Sequence, residues 1–490
     1  MTGWERLSLS IPNAAYLRDH RLEGGAVYPA VEAMAFLARA ARSARPSLDI
    51  TRMRDAAFLR FLSVPEEGAV NAFAEIEERD SSVNARLVSL KTAPRTSLSR
   101  MVEHVKISFG AFQPHPTQID EILCLEGPAI EIDAQRLYRE LVPFGPSYQN
   151  IERVVVADEG AIAFVRGGIQ DACSDLVGSP FPLDASFHAA CVWGQRYRGI
   201  VAFPVGIGFR SIMTKTTPGG TYIARVAPRG ESSGTLAFDI WIMGLDGTMC
   251  EEIRDVRMRD VSGNRLKPPE WIAAEDDAAL AAMRGRCADI ALVDLATVTH
   301  AAQAALSPEE TERISRMGEK RARSFLAARL ALKKIARRLS GGDSLTPPRA
   351  LNTVASDGRP LCPVTAGPPR CCSVSHDSRF AVAVAADAPI GIDVEEISPR
   401  AFRGRSIFMN DDELTLIREC GISAEDAALR VWSVKEAAGK AFNLDLVDSW
   451  KLIRVSAIGE EESAFCFDGR LMSARHIPCR GHLFTLVNSA

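Results

Sequence analysis

Apolar and polar positions along the 490 residues change texture once. The first region is strand-rich. Thr221-Tyr-Ile-Ala-Arg-Val alternates apolar and polar, and so does Leu236-Ala-Phe-Asp-Ile-Trp-Ile-Met. Gly247 then marks a turn before a further strand through Val256 and Met258. Two stretches within this region have helical spacing instead. One starts at Pro29 and places Val31, Met34, Leu37 and Ala38 on one face. Proline suits a first helical position, where an N–H has no partner in any case. The other begins near Leu183-Asp184 and runs through Val192-Trp193. Two strand-wrapped helices, about 150 residues apart, predict two similar halves, about 1–130 and 131–270.

Between about 262 and 287 the pattern passes through Lys267-Pro-Pro-Glu-Trp and a short acidic-alanine segment, which predicts a domain boundary near 280. A second domain, 285–490, opens with a basic helix over Arg313 to Arg338, which holds ten Lys or Arg and one acid, Glu319. That helix reads as a solvated face, a nucleic-acid patch, a membrane-surface helix or part of a polyphosphate site. A Gly/Pro-rich loop follows over 341–349. Strands are predicted around Cys372–Val374, Phe380–Ala385 and Ile390–Val394, a helix around Glu425–Phe442, and strands at the end. The fold class is α+β with two domains, which suits the length at about 150 residues each or somewhat more.

Composition narrows the classes. The chain is 47% hydrophobic and 24% charged, with a net charge of -4, which excludes a mostly disordered chain and a nucleic-acid binder that acts by bulk charge. No apolar run reaches about 18 residues, so no membrane span is predicted. The start, Met1-Thr-Gly-Trp-Glu-Arg, lacks an apolar signal core, and a cytoplasmic location is expected. The eleven cysteines are scattered without a C-x-x-C pair, as reduced thiols would be.

The first candidate chemistry joins His20 and Asp184. His20 precedes a glycine turn that feeds the helix starting at Pro29. The unpaired N–H groups of a helix start suit the carbonyl oxygen of a thioester, and an imidazole beside them is placed to remove a proton alpha to it. Asp184 lies at a predicted helix start, where a carboxylate serves equally well as a cap. Asp184 and His188 are four apart and share a helix face. His20, Gly24 and Pro29 fit H-x-x-x-G-x-x-x-x-P, Asp184 and His188 fit D-x-x-x-Q/H, and Phe144-Gly-Pro-Ser-Tyr148 lies between them. Residues 5–265 thereby resemble the dehydratase domains of modular polyketide synthases. The resemblance implies a double hotdog fold, His20 as base and Asp184 as acid on a beta-hydroxyacyl thioester, and His188 orienting Asp184. Phe144 stands where the family usually has Tyr. The related product-template domains make cyclisation an alternative outcome.

The second candidate lies near the C-terminus. In Gly391-Ile-Asp393-Val-Glu395 two carboxylates share one face of a strand, a hard oxygen site suited to Mg²⁺ or simply a polar strand end. Trp432-Ser-Val-Lys435-Glu436-Ala-Ala-Gly-Lys440 puts Glu436 and Lys440 on one helix face, either as a surface ion pair or as a metal ligand with a phosphate clamp. With Arg323, Gly358-Arg359-Pro360 and Ser373-Val-Ser375-His376, these motifs resemble the surfactin-type 4'-phosphopantetheinyl transferases over 287–488. The resemblance implies a pseudo-twofold α+β domain that moves phosphopantetheine from coenzyme A to a carrier-protein serine. Asp393, Glu395 and Glu436 would hold Mg²⁺, and Glu436 or a metal-linked water would deprotonate the serine. Lys440 and His376 would steady the phosphates, and Arg323 and Arg359 would bind the nucleotide end. Glu413 and Lys435 would support the site, and Ser375 would join the residues that bind coenzyme A. Asp377 stands where the family usually has Ser or Thr. The expected partner of both halves is an acyl carrier protein, bearing an acyl thioester on its phosphopantetheine arm. The alternative is a transferase whose first half is a silent carrier-docking module.

Overall fold

The computed structural model describes residues 3–488 except 8–10, 12, 80, 93–98, 113–122, 169–175, 275–282, 284–288, 342–345 and 365–366. The boundary expected near 280 and part of the loop expected over 341–349 lie outside the described residues. The chain divides into two units, Met1–Thr117 with Ile130–Ala274, and Gln118–Ala129 with Glu275–Ala490.

The first unit contains β1 (Glu5–Leu7), β2 (Arg21–Leu22), β3 (Gly25–Ala26), α1 (Ala30–Ala44), β4 (Arg52–Phe58), β5 (Phe73–Glu78), β6 (Ser82–Thr92), β7 (Ser99–Gly110), β8 (Ile130–Asp133), α2 (Ala134–Glu140), β9 (Ile151–Ala157), β10 (Gly160–Arg166), α3 (Phe181–Arg198), β11 (Phe203–Ile212), β12 (Thr221–Ser232), β13 (Thr235–Gly244) and β14 (Met249–Arg259). Twelve strands form one antiparallel sheet in the order β1-β5-β6-β7-β4-β11-β14-β13-β12-β10-β9-β8. Antiparallel pairing of β4 with β11, Arg54 opposite Phe209, joins a five-stranded and a seven-stranded part. α1 packs on β5, β6 and β7, and α3 on β9 through β13, so each part curls around one long helix. This is the double hotdog arrangement. Burial goes beyond the expected stripe: α1 buries Val31 through Ala38 together with Ala40 and Ala41, and α3 buries every residue from Phe181 to Arg196. A sheet that wraps a helix leaves it little solvent side.

The second unit contains β15 (Asp289–Asp294), α4 (Pro308–Ile314), α5 (Glu319–Leu339), β16 (Cys371–His376), β17 (Phe380–Ala386), β18 (Ile390–Glu396), α6 (Arg400–Phe408), α7 (Asp411–Glu419), α8 (Ala424–Ala441), α9 (Leu446–Leu452), β19 (Arg454–Ala457), β20 (Glu462–Phe467), β21 (Arg470–Cys479) and β22 (His482–Asn488). A sheet β15-β17-β16 packs on α5, and a sheet β18-β22-β21-β20-β19 packs on α8. The motif of sheet plus long helix therefore occurs twice.

The helix expected over 313–338 is two helices. α4 starts with a capping box from Ser307 and Glu310, and α5 starts after Gly318, so Arg313 and Arg316 precede the long helix. Nor is α5 a solvated basic face. Arg329, Lys333 and Lys334 are buried. Lys333 Nζ pairs with Glu310 at 2.8 Å and donates to the carbonyls of Pro348, at 2.9 Å, and Leu351.

The stretch from Leu123 to Ala129 precedes β8 in sequence yet belongs to the second unit. It lies along β15, the outer strand of its sheet: Gly127 N–H donates to Leu292 O at 2.9 Å, and Glu126 is bridged to Val293. Leu125 N–H donates to Thr297 Oγ1 and Ala129 N–H to Asp294 Oδ2, both at 3.2 Å. Glu126 pairs with Arg338 at 2.7 Å, and Cys124 and Leu125 are fully buried. No helix among the described residues is long and apolar enough to cross a membrane. The nine described cysteines are free thiols.

Candidate functional site

The spacing around His20 encodes a tight hairpin. β2 pairs with β3, Leu22 opposite Gly25, which leaves Glu23 and Gly24 as a two-residue turn with φ of 49° and 85°. A turn with both central residues left-handed matches strand twist and needs glycine at one of them. The hairpin brings Val27 opposite His20: Val27 N–H donates to His20 O at 2.9 Å, and Val27 O lies 3.1 Å from His20 Nδ1. A carbonyl only accepts, so Nδ1 carries the proton in the neutral ring and Nε2 is the basic nitrogen. Loss of solvation is the largest effect on this imidazole; together with nearby His188, and against the pull of Asp184, it holds the pKa below the ordinary 6.5.

Asp184 stands in the first turn of α3, 5% exposed, but it does not cap the helix, whose N-cap, Pro180, has no side-chain bond. Its Oδ2 lies 3.2 Å from His188 Nε2, close but not aligned as a hydrogen bond, and neither atom has another bonding partner among the described residues. Tyr138 Oη accepts the Ile151 N–H at 2.8 Å, which leaves its own proton for His188 Nδ1 at 3.4 Å. Phe144 lies between the imidazoles, 4.5 Å from the His20 ring and 4.9 Å from that of His188, stacked on both. Asp19 locks this element in place, accepting from Ser147 N–H at 3.0 Å and Ser147 Oγ at 2.6 Å. Tyr148 stands edge-on to His20 at 5.1 Å and is fully buried.

His20, Asp184 and His188 line one cavity of about 570 Å³, walled mainly by Phe58, Phe61, Phe187 and Phe203, with Ala30 of the first turn of α1 in its lining. An imidazole and a carboxyl thus share an apolar chamber with a helix start. Sequence reasoning missed Tyr138, since a tyrosine on a short helix has no spacing that distinguishes it.

In the second unit Asp393 is 2% exposed on β18. Its Oδ1 accepts from Lys440 Nζ at 2.8 Å and Ser375 Oγ at 3.0 Å, and its Oδ2 from Ser433 Oγ at 2.8 Å. β18 reaches α8 this closely because residue 391 is glycine: a Cβ there would lie 1.9 Å from Ala437 O. Glu395 Oε1 accepts from Trp432 Nε1 at 2.9 Å. Burial first, then the charge of Asp393, pushes the Glu395 carboxyl up to about 7, and burial also raises Glu436.

These carboxylates fit a divalent cation in donor chemistry: three hard oxygen groups, with the charge of Asp393 adding to the rise of Glu395 and Glu436 where a cation would relieve it. They are not a closed ligand set: among the described residues no three His, Cys, Asp or Glu side chains stand together for a metal, and Lys440 lies on Asp393.

Glu395 and His376 line a cavity of about 1000 Å³ with Lys320, Arg321, Arg400, Trp432 and Trp450. Arg323 and Arg359 are placed elsewhere, the first donating to Leu295 O at 2.7 Å and the second to Asn443 O at 3.3 Å. Lys435 and Glu413 pair at 2.8 Å in the interior, where Lys435 also donates to Phe408 O and Trp450 O and Glu413 accepts from Val455 N–H. Asp377 also lines the cavity, but its carboxylate accepts from Arg379 N–H and Phe380 N–H and bonds His482 Nδ1. The carboxylate that replaces the family's Ser or Thr is thus engaged within the fold.

Residues 125–268 match the family model for the polyketide synthase dehydratase N-terminal domain, and residues 389–475 match that for the 4'-phosphopantetheinyl transferase superfamily. No curated protein matches the chain. Among solved structures the chain is similar to the dehydratase domain of RzxB from Pseudomonas fluorescens, at 15% identity and TM-score 0.43 over 52% of this chain and 93% of that one. It is similar to an N-terminal dehydratase from the difficidin assembly line, at 17% identity and TM-score 0.41 over 54% and 96%. It is also similar to the dehydratase domain of PpsC from Mycobacterium tuberculosis in complex with C12:1-CoA, at 17% identity and TM-score 0.39 over 51% and 91%.

Proposed function

We propose that the chain has two activities directed at one kind of partner, an acyl carrier protein. The second unit transfers 4'-phosphopantetheine from coenzyme A to a carrier serine, and the first eliminates water from a beta-hydroxyacyl thioester carried on that arm. The observation that carries the elimination is the pairing of His20 and Asp184 across one apolar cavity. His20 Nε2 takes the proton alpha to the thioester carbonyl, and the N–H groups at the start of α1 hold the carbonyl oxygen. Asp184 gives its proton to the beta-hydroxyl, the C–O bond breaks, water leaves and a carbon–carbon double bond remains.

In the transferase the serine oxygen forms a bond to the beta-phosphorus of coenzyme A, and the bond to 3',5'-adenosine bisphosphate breaks. Asp393, Glu395 and Glu436 supply the donor chemistry for Mg²⁺ without standing together as a closed ligand set, and the ion, when bound, would supply charge neutralisation on the pyrophosphate. Glu436 takes the serine proton. Lys440, which donates to Ser375 and Asp393, and His376 attract the phosphates. Lys320, Arg321 and Arg400, which line the larger cavity, add positive charge for the same ligand.

Mass spectrometry of apo-carrier proteins mixed with the protein, coenzyme A and Mg²⁺ tests the transferase, with a gain of one phosphopantetheine arm expected and no gain contradicting it. A carrier loaded with a 3-hydroxyacyl group then tests the elimination. The mass of one water is lost with the unaltered protein and kept with His20→Ala. An equal loss with His20→Ala sinks the dehydratase assignment.

A further inference from the structure

The chamber that His20 and Asp184 share has a further imidazole in its lining, which the elimination leaves unused. His104 stands on β7, buried, with both ring nitrogens engaged. Nδ1 lies 3.1 Å from Arg60 O, and Nε2 lies 2.7 Å from Ser89 Oγ of β6. A carbonyl only accepts, so Nδ1 carries the proton and Nε2 accepts from the Ser89 hydroxyl. With its lone pair taken in this way, the ring is not a second base. It holds backbone instead. β4 ends at Phe58, and beyond that end His104 O accepts from the N–H groups of Leu59, at 2.8 Å, and Arg60, at 3.4 Å. One residue of β7 thus fastens the chain where the strand pairing stops.

The fastened segment, 59–64, runs from His104 to the hairpin of His20. Tyr28 N–H donates to Leu62 O at 2.7 Å, and Val64 N–H donates to Ala26 O at 3.0 Å. Val27, whose carbonyl holds His20 Nδ1, is bridged to Ser63. Leu62 and Val64 are buried and anchor this end. Leu59 and Phe61 are each 48% exposed, and both line the chamber. Apolar side chains left in contact with water beside such a pair of polar groups are surface that a ligand can cover.

Resting on the dehydratase reading, we propose that segment 59–64 is the strap against which the acyl tail of the thioester lies, and that His104 is its latch. His104 is then a positioning residue that sets a preference for longer chains. The occupant is an aliphatic tail, because Leu59 and Phe61 continue a wall made mainly of Phe58, Phe187 and Phe203. Each methylene taken out of water against such a wall favours binding by about fourfold at full burial. The strap pairs with the stretch that orients His20, so one piece of backbone sets both the tail and the base in register.

Water loss from 3-hydroxyoctanoyl and 3-hydroxybutyryl pantetheine thioesters, measured with the full chain, reads the preference as a ratio of kcat/KM. Leu59→Ala and Phe61→Ala truncate half-exposed side chains, at little cost in stability. Each is expected to lower the ratio of longer to shorter thioester about fivefold, mainly through KM of the longer one. A ratio unchanged in both overturns the inference. His104→Leu removes the donor to Arg60 O and is expected to lower the ratio at least as far. His104→Asn keeps an N–H near the place of Nδ1 and is expected to recover most of that loss. Equal ratios in these two variants overturn the role of His104. Ser89→Ala, which frees the ring to turn, is expected to lower the ratio about twofold, and decides the latch where His104→Leu does not fold; no change overturns it. Octanoyl pantetheine, which has no hydroxyl to lose, is titrated calorimetrically into the same proteins. Its affinity is expected to fall about fivefold in Phe61→Ala, and an equal affinity overturns the strap. An unaltered protein that eliminates no water sinks the dehydratase reading instead, and this titration still decides the strap.

Discussion

His20 is held by one nitrogen and, in the proposed elimination, works through the other. With the Val27 carbonyl on Nδ1 and solvation reduced, the ring resists protonation, so the base remains neutral further into acid than a free histidine. The acid limb of kcat/KM for water elimination is therefore expected below pH 6.5, measured on a soluble 3-hydroxyacyl thioester, and a limb above 6.5 contradicts this reading of the pocket. His20, Gly24, Pro29 and Asp184 were legible because their spacing is set locally, by one hairpin and two helix starts. The partners that come from elsewhere in the chain were not. Tyr138 reaches His188 from a separate short helix, and His482 reaches Asp377 from 105 residues away. No local pattern contains those meetings. Arg323 and Arg359 show the converse, since their motifs were visible but each guanidinium bonds a backbone carbonyl outside the cavity lining.

Among the elements, the approach of β18 to α8 builds the second site. It sets Asp393 against Ser433 and Lys440, and glycine at 391 permits it. Gly391→Ala is expected to push strand and helix apart, to destabilise the unit by about 1–3 kcal/mol and to slow phosphopantetheine transfer at least tenfold. Thermal unfolding with a carrier-loading assay checks this, and loading at the unaltered rate would contradict it. Elements of strong periodicity, α1, α3, α8 and the strands from 221 to 259, were readable from apolar spacing. The break at Gly318 was not, because the basic residues on both sides looked like one continuous face. Burial of Lys333 and Arg329 was hidden for a related reason: charge suggests solvent, and only the fold supplies Glu310 and the carbonyls that satisfy them.

At the scale of the whole molecule, the second unit is not continuous in sequence. Leu123–Ala129 lies along β15, and nothing in the pattern of those residues marks them as foreign to the strands on either side. Leu125→Asp in the full chain is expected to cost about 2 kcal/mol or more, since it puts a charge at a fully buried position. Hydrogen exchange at Asp289–Asp294 should accelerate while the amides of α1 keep their protection, and unchanged exchange in that strand would show that the covering stretch is dispensable. An outer strand with open N–H and C=O groups invites pairing with other chains, and this polypeptide closes it with residues encoded ahead of β8. The second unit is thus not a cassette that recombination at the seam could lift out whole. Such an exchange would leave behind the ribbon that hems its first sheet.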